Sequence, residues 1–369
     1  MNTTYETRLL GDVLRLEYGK PLPKADRSPN GKYPAYGANG ILCRTDKVYR
    51  EYQSIVVGRK GSAGEVNLTE GAFWPTDVTY FVEHDNDTEL RYIFHLLKYL
   101  ELPKLAKGVK PGINRNDVYE IEVPIPLLPE QKLIVAILDE AVASIDQAKA
   151  NTERNLANSR ELFDSYLNRA FEEKGEGWER VTLPECSTNL DKSRKPITKS
   201  KREPGSIPYY GASGVVDHVK DHIFDEDLLL ISEDGANLLA RTYPIAFSIS
   251  GKTWVNNHAH VLRFDDERTR RFVEFYLNSI SLEPWVSGMA QPKLNQTKLN
   301  SIPIPQPTLD EQGHIVELLE NVSSSAKELK LKGKEKLASL GLLKQSILKK
   351  AFAGELTSNP DKVLNEVGV

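Results

Sequence analysis

One pattern occurs twice in this chain and sets most of what it can fold into. Between Pro129 and Phe171, Ile134, Leu138, Ala141, Ile145, Ala148, Thr152, Asn155, Ser159, Leu162 and Tyr166 step by four and three residues in alternation. That is the period of a coiled-coil seam on one long helix. Roughly 180 residues later the register returns as Ile315, Leu319, Val322, Ala326, Leu329, Gly333, Lys336, Leu340, Leu343 and Ile347, a spacing far longer than a solenoid unit. The chain therefore reads as a tandem duplication, each copy a globular segment followed by a long helix. Both seams are apolar at their ends and small or polar in the middle, so antiparallel pairing within the chain would superimpose the two middles. The expectation is two globular domains at opposite ends of a helical rod, related by an approximate two-fold axis. Ile134, Leu138, Ile145, Ile315, Leu319, Leu343 and Ile347 form the candidate subunit-interface set.

The composition suits such a body. With 369 residues, 40% hydrophobic and 27% charged, the chain resembles a soluble globular protein of two or three domains. Met1 to Leu10 lacks the apolar core of a signal peptide, and no run approaches the roughly 18 apolar residues a membrane span needs. A cytoplasmic location without membrane contact is expected. Cys43 and Cys186 do not correspond between the copies, so neither a disulfide framework nor a thiolate metal site is indicated. A net charge of −4 argues mildly against nucleic-acid binding by the whole chain, but local clustering of cations decides that question.

Clusters are found at matching places. After Tyr5 to Val13, read as a short strand or turn, comes a loop with Lys20, Lys24, Arg27 and Lys32; after Trp178 to Leu183 comes one with Lys192, Arg194, Lys195, Lys199, Lys201 and Arg202. Recurrence favours contact with an anion such as a phosphate backbone over a merely solvated loop, and such contacts position rather than read sequence. Tyr36-Gly37-Ala38-Asn39-Gly40 and Tyr210-Gly211-Ala212-Ser213-Gly214 read as turns whose tyrosines either stack on a ligand or base or, the favoured reading, pack beneath them. The runs Ser54–Val57 and Leu228–Ile231 read as buried strands, but their sequels differ. Arg59 and Lys60 follow one; Glu233, Asp234 and Asn237 follow the other. Against duplex DNA, the cations suit guanine, the carboxylates cytosine, and Asn237 adenine.

The segments Trp74–Val82 and Trp254–Leu262 alternate as strands do, and each precedes an amphipathic helix, with Tyr92, Ile93, Leu96, Leu97 and Leu100 on one apolar face and Phe272, Val273, Tyr276, Leu277 and Ile280 on the other. His258 and His260 could serve a metal, yet no third ligand lies nearby and the first copy has Val78 and Tyr80 there, so no metal site is expected. Two loops then project hydrogen-bond donors from Gly- and Pro-fixed backbone: Lys110, Asn114 and Arg115 in the first copy, and Gln291, Lys293, Asn295 and Gln296 in the second. Proline-rich connectors follow at Val123–Pro129 and Ile302–Pro307, too stiff for a sheet interior. Thr308-Leu309-Asp310-Glu311 is a capping box opening the second long helix.

Gln291-Pro292-Lys293-Leu294-Asn295, Ile302-Pro303-Ile304-Pro305 and Leu309-Asp310-Glu311-Gln312 ahead of a long helix resemble the specificity subunit of type I restriction-modification systems. The first copy, Lys110-Pro111-Gly112-Ile113-Asn114 through Val123-Pro124-Ile125-Pro126 to Leu128-Pro129-Glu130-Gln131, is a looser version. The resemblance implies an α+β chain: target-recognition domains at 1–127 and 174–307, long helices at 128–173 and 308–356 in an antiparallel coiled coil, and a tail at 357–369. It implies that each domain reads one half of an interrupted double-stranded DNA sequence. It also implies two methyltransferase subunits using S-adenosylmethionine, and restriction subunits using ATP and magnesium. No methylation motif or phosphate loop occurs here, so the chain itself is expected to be non-catalytic and to hold no cofactor. The competing classes are a magnesium nuclease using Asp225, Glu226, Asp227, Glu233 and Asp234, and a coiled-coil adaptor. The carboxylates lack counterparts in the first copy, and an adaptor leaves the divergent polar tips without a purpose.

Overall fold

The computed structural model describes residues 5–172, 177–288 and 291–357. The expected tail beyond Thr357, most of the breaker at 173–177, and Met289 and Ala290 lie outside the described residues. Two compact units divide the chain, Met1–Glu153 with Lys334–Val369 and Arg154–Gly333. Each unit takes part of both long helices, which span Leu128–Glu172 and Leu309–Ala353.

In the first unit a four-stranded antiparallel sheet runs in the order Leu14–Tyr18, Thr79–His84, Ile55–Gly58, Val66–Leu68. Ile55, Val56 and Val57 are fully buried because this strand is interior to the sheet and covered on both faces. A second sheet joins Gly40–Thr45, Tyr33–Gly37 and Trp74–Pro75. The second unit repeats this plan. Thr188–Asn189, Ala259–Arg263, Leu228–Ser232 and Ala246–Ile249 form one sheet; Gly214–Val219, Pro204–Gly211, Lys252–Val255 and Phe224–Asp225 form the other. The tryptophan segments are thus not continuous strands. Each is cut by a turn, at Thr76–Val78 and Asn256–His258, so that its two ends serve different sheets. The first strand of each large sheet, Leu14–Tyr18 or Thr188–Asn189, occupies sequence that by itself reads as the lead-in to a loop.

Each unit covers its large sheet with the helix after it, Leu90–Tyr99 or Glu267–Ser279, which bury Tyr92, Ile93, Leu96 and Leu97, and Phe272, Val273 and Leu277. Tyrosines on these helices tether the proline connectors: Tyr92 donates to the Pro124 carbonyl at 2.8 Å and Tyr276 to that of Pro303 at 2.9 Å. The connectors form only two-stranded pairs, Glu122–Pro124 with Thr7–Leu9 and Ile304–Gln306 with Glu179–Val181, where a missing proline N–H faces no neighbour. The predicted capping box is present. Thr308 donates its backbone N–H to Glu311 at 3.0 Å, and Glu311 returns one to the Thr308 hydroxyl at 3.4 Å.

The long helices pair antiparallel within each unit. In the first, Lys344 reaches Asp146 at 3.0 Å while Thr357 reaches Glu130 at 2.9 Å. Ile134, Leu138 and Ile145 share one core with Ile347, and Leu343 packs on it. In the second, Ile315 and Leu319 share a core with Leu167 and Ala170. All of these seam residues but the half-buried Leu343 are buried in the chain's own cores, so they seal it rather than offer a face to another subunit. The strict heptad fails beyond the middle. Leu162, Tyr166 and Leu329 are 55%, 39% and 42% exposed, and Asn155 and Lys336 also face out. Leu156, Phe163, Leu167, Ala170 and Leu337 turn inward instead. The buried face then advances by about 3.6 residues per step, the period of a straight helix rather than a supercoiled one. At Gly333 a Cβ would lie 2.7 Å from Leu156 Cδ2, so the small residue admits the leucine that the shifted register brings in.

Candidate nucleic-acid interface

Five loops of the first unit meet at one edge of the two sheets. Lys20 donates its N–H to the Pro75 carbonyl at 2.9 Å and accepts from Trp74 Nε1 at 2.9 Å. Thr76 donates to the Tyr36 carbonyl at 3.0 Å, and Arg59 to that of Val78 at 2.8 Å. Gly61 donates to Pro111 at 2.9 Å and Ile113 to Arg59 at 3.0 Å. The basic loop, the tyrosine turn, the strand end at Arg59, the tryptophan turn and the loop ending at Arg115 are thereby one surface. The second unit closes its surface with equivalent bonds: Trp254 Nε1 to Lys195 at 2.6 Å, Asn256 to Tyr210 at 3.0 Å, Glu233 to His258 at 2.9 Å, Gly235 to Pro292 at 3.0 Å, and Leu294 to Glu233 at 2.8 Å.

Within the basic loops the two cation types divide their work. Arg27 turns back to the Leu22 carbonyl at 3.0 Å and Arg202 to that of Ile197 at 3.1 Å, each holding its loop's shape with a planar fork. Lys20, Lys24, Lys192, Lys199 and Lys201 project into solvent. Tyr36 is buried and edge-on to Phe73, and Tyr210 stands against Phe247, so both pack beneath their turns.

Several residues chosen from sequence as base readers are engaged otherwise. Asn237 is a loop clamp: its amide donates to the Tyr243 carbonyl at 3.0 Å and its oxygen accepts from the Tyr243 N–H at 2.9 Å. Both hydrogen-bonding edges that adenine would need are consumed. Asn114 and Asn295 cap the short helices Arg115–Tyr119 and Gln296–Asn300, accepting from Asn116 at 3.0 Å and Lys298 at 2.9 Å. Arg194 is no phosphate ligand. Its side chain is 13% exposed and bonded to Glu233 at 2.6 Å. Glu233, 12% exposed, is therefore closed to cytosine as well. Lys60, Lys110, Gln291 and Gln296 remain exposed, and Lys293 is half exposed, its ammonium 3.2 Å from Glu233.

The sheet register aligns the centres of the two surfaces. Tyr18 lies opposite Tyr80, and the N–H of Val261, next to His260, is held by Asp191. Tyr80 donates to the Ile113 carbonyl at 3.3 Å where His260 meets that of Leu294 at 2.7 Å. Tyr18, Arg59, Tyr80, Gly112 and Arg115 thus stand where Asp191, Glu233, His260, Lys293 and Gln296 stand in the second unit. In the first centre, the Tyr18 ring has the guanidinium carbons of Arg59 and Arg115 at 5.3 and 5.0 Å. Burial, reinforced by Tyr18, pushes the Tyr80 hydroxyl up to about 12. In the second, Asp191 holds His260 at 2.6 Å and Glu233 bridges Arg194 and Lys293. Burial opposes ionisation of both acids, but the hydrogen bond from His260 to Asp191 and that from Arg194 to Glu233, with neighbouring charge, hold both below the ordinary carboxylate range. Sequence reading missed Tyr18, Asp191 and the tryptophan bonds. Only the tryptophans, recurring at matched positions, left a signal.

The other acids are dispersed onto separate partners: Asp234 on the His258 ring at 2.8 Å, Glu226 on Arg263, Asp227 on Arg270 at 3.6 Å. Among the described residues no group of three or more His, Cys, Asp or Glu side chains is placed to hold a metal ion, and no helix is long and apolar enough to cross a membrane.

The family described as the type I restriction modification DNA specificity domain matches residues 2–155 and 175–338, one segment in each copy. A putative type I restriction enzyme specificity subunit of Haemophilus influenzae is 37% identical over 164 residues, covering 44% of this chain and 42% of that one. The EcoDI specificity subunit of Escherichia coli is 22% identical over 414 residues, covering 98% and 92%. The chain thus spans less than half of the first relative and most of the second. Among solved structures, a chain from a study of complex assembly and conformational transition of the type I R-M system has the same fold, with a TM-score of 0.70 at 18% identity, covering 95% of this chain and 98% of its own.

Proposed function

Since the chain belongs to the type I restriction-modification DNA specificity family, we propose that it is the member of such a complex in which each unit reads one half of an interrupted duplex target in the major groove. The observation that carries this reading is the pair of matched surfaces, built on the same backbone bonds and carrying different charges at their centres. A scaffold kept constant while its polar tips change is suited to reading two different half-sites. Base discrimination falls to Arg59, Lys60, Lys110 and Arg115 in one unit and Lys293, Gln291 and Gln296 in the other. Lys20, Lys24, Lys192, Lys199 and Lys201 hold phosphates, which fix register without reading bases.

Two methyltransferase subunits supply S-adenosylmethionine chemistry in this proposal, and restriction subunits supply ATP- and magnesium-dependent cleavage. The net charge of −4 is then compatible with DNA binding, because the partners complete the phosphate clamp. Methylation-site sequencing of a host carrying the assembled system tests the reading. A bipartite motif is expected, and Lys293→Ala should relax one half of it only. Robust methyl transfer by the pure chain with S-adenosylmethionine alone would contradict the proposal.

A further inference from the structure

The first centre contains an aromatic residue that neither the sequence motifs nor the family match singles out. Tyr18 ends the strand Leu14–Tyr18 and is 47% exposed, and two guanidiniums stack on its ring, Arg59 at 5.3 Å and Arg115 at 5.0 Å. Each arginine is also anchored by a backbone carbonyl. Arg59 donates Nε and Nη2 to Asp77 at 3.2 and 2.6 Å, and Arg115 donates Nη1 to Leu16 at 3.3 Å. Among the described residues neither forms an ion pair, whereas Arg50 of the same unit is paired with Glu83 at 2.9 Å. The protein has therefore spent ring and carbonyl contacts on fixing two like charges side by side and left them unneutralised. Such a pair, exposed and without a counter-charge, presents its remaining N–H donors to an acceptor-rich partner.

We propose that Tyr18 is a positioning residue for specificity: its ring sets the planes of Arg59 and Arg115 so that their free N–H edges meet the O6 and N7 acceptors of a guanine in the half-site read by the first unit. This rests on the reading of the chain as a half-site reader. Guanine is the one base whose major-groove edge offers two adjacent acceptors and no donor. A phosphate offers acceptors too and can take a guanidinium bidentately, but it has no N7 and carries no sequence information, so dependence on N7 tells the two targets apart. In the second unit the same register position is Asp191, which braces His260 instead, so the device is confined to one half of the target.

The test uses the full chain assembled with its modification subunits, on duplexes carrying the methylation motif with 7-deazaguanine, which lacks N7, placed in one half-site at a time. For the wild type, substitution at one guanine of one half-site should weaken binding by about tenfold or more, within the range of a lost bidentate contact. Tyr18→Phe keeps the aromatic face and should retain that sensitivity. Tyr18→Leu should lose it and accept other bases at that position, with the other half-site read as before. Binding by the wild type that is indifferent to N7 in both half-sites, yet reduced by neutral phosphate analogues, would assign the arginines to the backbone and overturn the inference. A Tyr18→Leu complex that keeps the wild-type sensitivity would overturn the positioning role; should that variant fail to fold, Tyr18→Gln, which also lacks a ring, takes its place with the same expected loss. A wild-type complex with no sequence preference at all would remove the premise of half-site reading, and this inference with it.

Discussion

The two candidate surfaces share their backbone and differ in how they treat charge. In the first unit the centre is cationic and open, two arginines on a half-exposed tyrosine. In the second it is a closed network in which Asp191, Arg194, Glu233 and His260 satisfy one another below the surface, and Lys293 is the cation that emerges. The difference teaches that a polar residue's place in the sequence repeat does not fix its job. Arg59 and Glu233 occupy one scaffold position and donate the same backbone N–H to the tryptophan turn, yet one points outward and the other braces a neighbour. Even the strand end before them differs. At Gly58 a Cβ would lie 2.6 Å from the Ala38 carbonyl, while its counterpart Ser232 bridges the wider gap to Ala212 with a 2.5 Å hydrogen bond.

The largest effect that would sharpen this comparison is on stability. Removing Arg194 leaves the largely buried Glu233 with Lys293 alone and Asp191 with His260 alone, so Arg194→Ala should destabilise the second unit by about 2 kcal/mol. Arg59→Ala, at the open centre, should change folding by under about 1 kcal/mol while reducing specific DNA binding. Equilibrium denaturation of both variants checks it, and equal losses of stability would erase the distinction between open and closed centres.

A smaller contrast is expected with acid. Because Glu233 and Asp191 titrate below their ordinary range when folded, the stability they contribute is present above about pH 4 and disappears as pH falls through their folded values. Glu233→Gln should flatten that acid-side slope for the second unit, read by thermal unfolding between about pH 5 and 3. Replacing Lys199 by Ala should weaken cognate and scrambled duplexes alike and lower the salt slope by about one. A loss confined to cognate DNA would move Lys199 from phosphate to base contact. The smallest expected effect is from Asn295→Ala and Asn114→Ala. Each removes a helix cap worth about 1 kcal/mol, and their effect on base preference should be slight. A relaxed methylation motif in either variant would restore these asparagines as base readers.

Periodicity and local chemistry alone determined the duplication, the two long helices, the capping box at Thr308 and the buried strands after Ser54 and Asp227, while the family came from the resemblance of the motifs at Gln291–Asn295 and Leu309–Gln312. These features are written in neighbouring residues: apolar spacing, proline stiffness, glycine in turns. Tertiary structure decided which polar side chains are free. Arg194 finds Glu233, 39 residues away, and His260 finds Asp191, 69 residues away, so no local pattern announces either bond. Asn237 and Asn295 present donors on paper, but the loop and helix they hold consume them. The register of the helix seam beyond Thr152 was likewise a tertiary decision. Heptad spacing proposed Asn155, Leu162 and Tyr166, but a straight helix drifts from a seven-residue repeat by about 20° per heptad, and that drift brought Leu156, Phe163 and Leu167 inward.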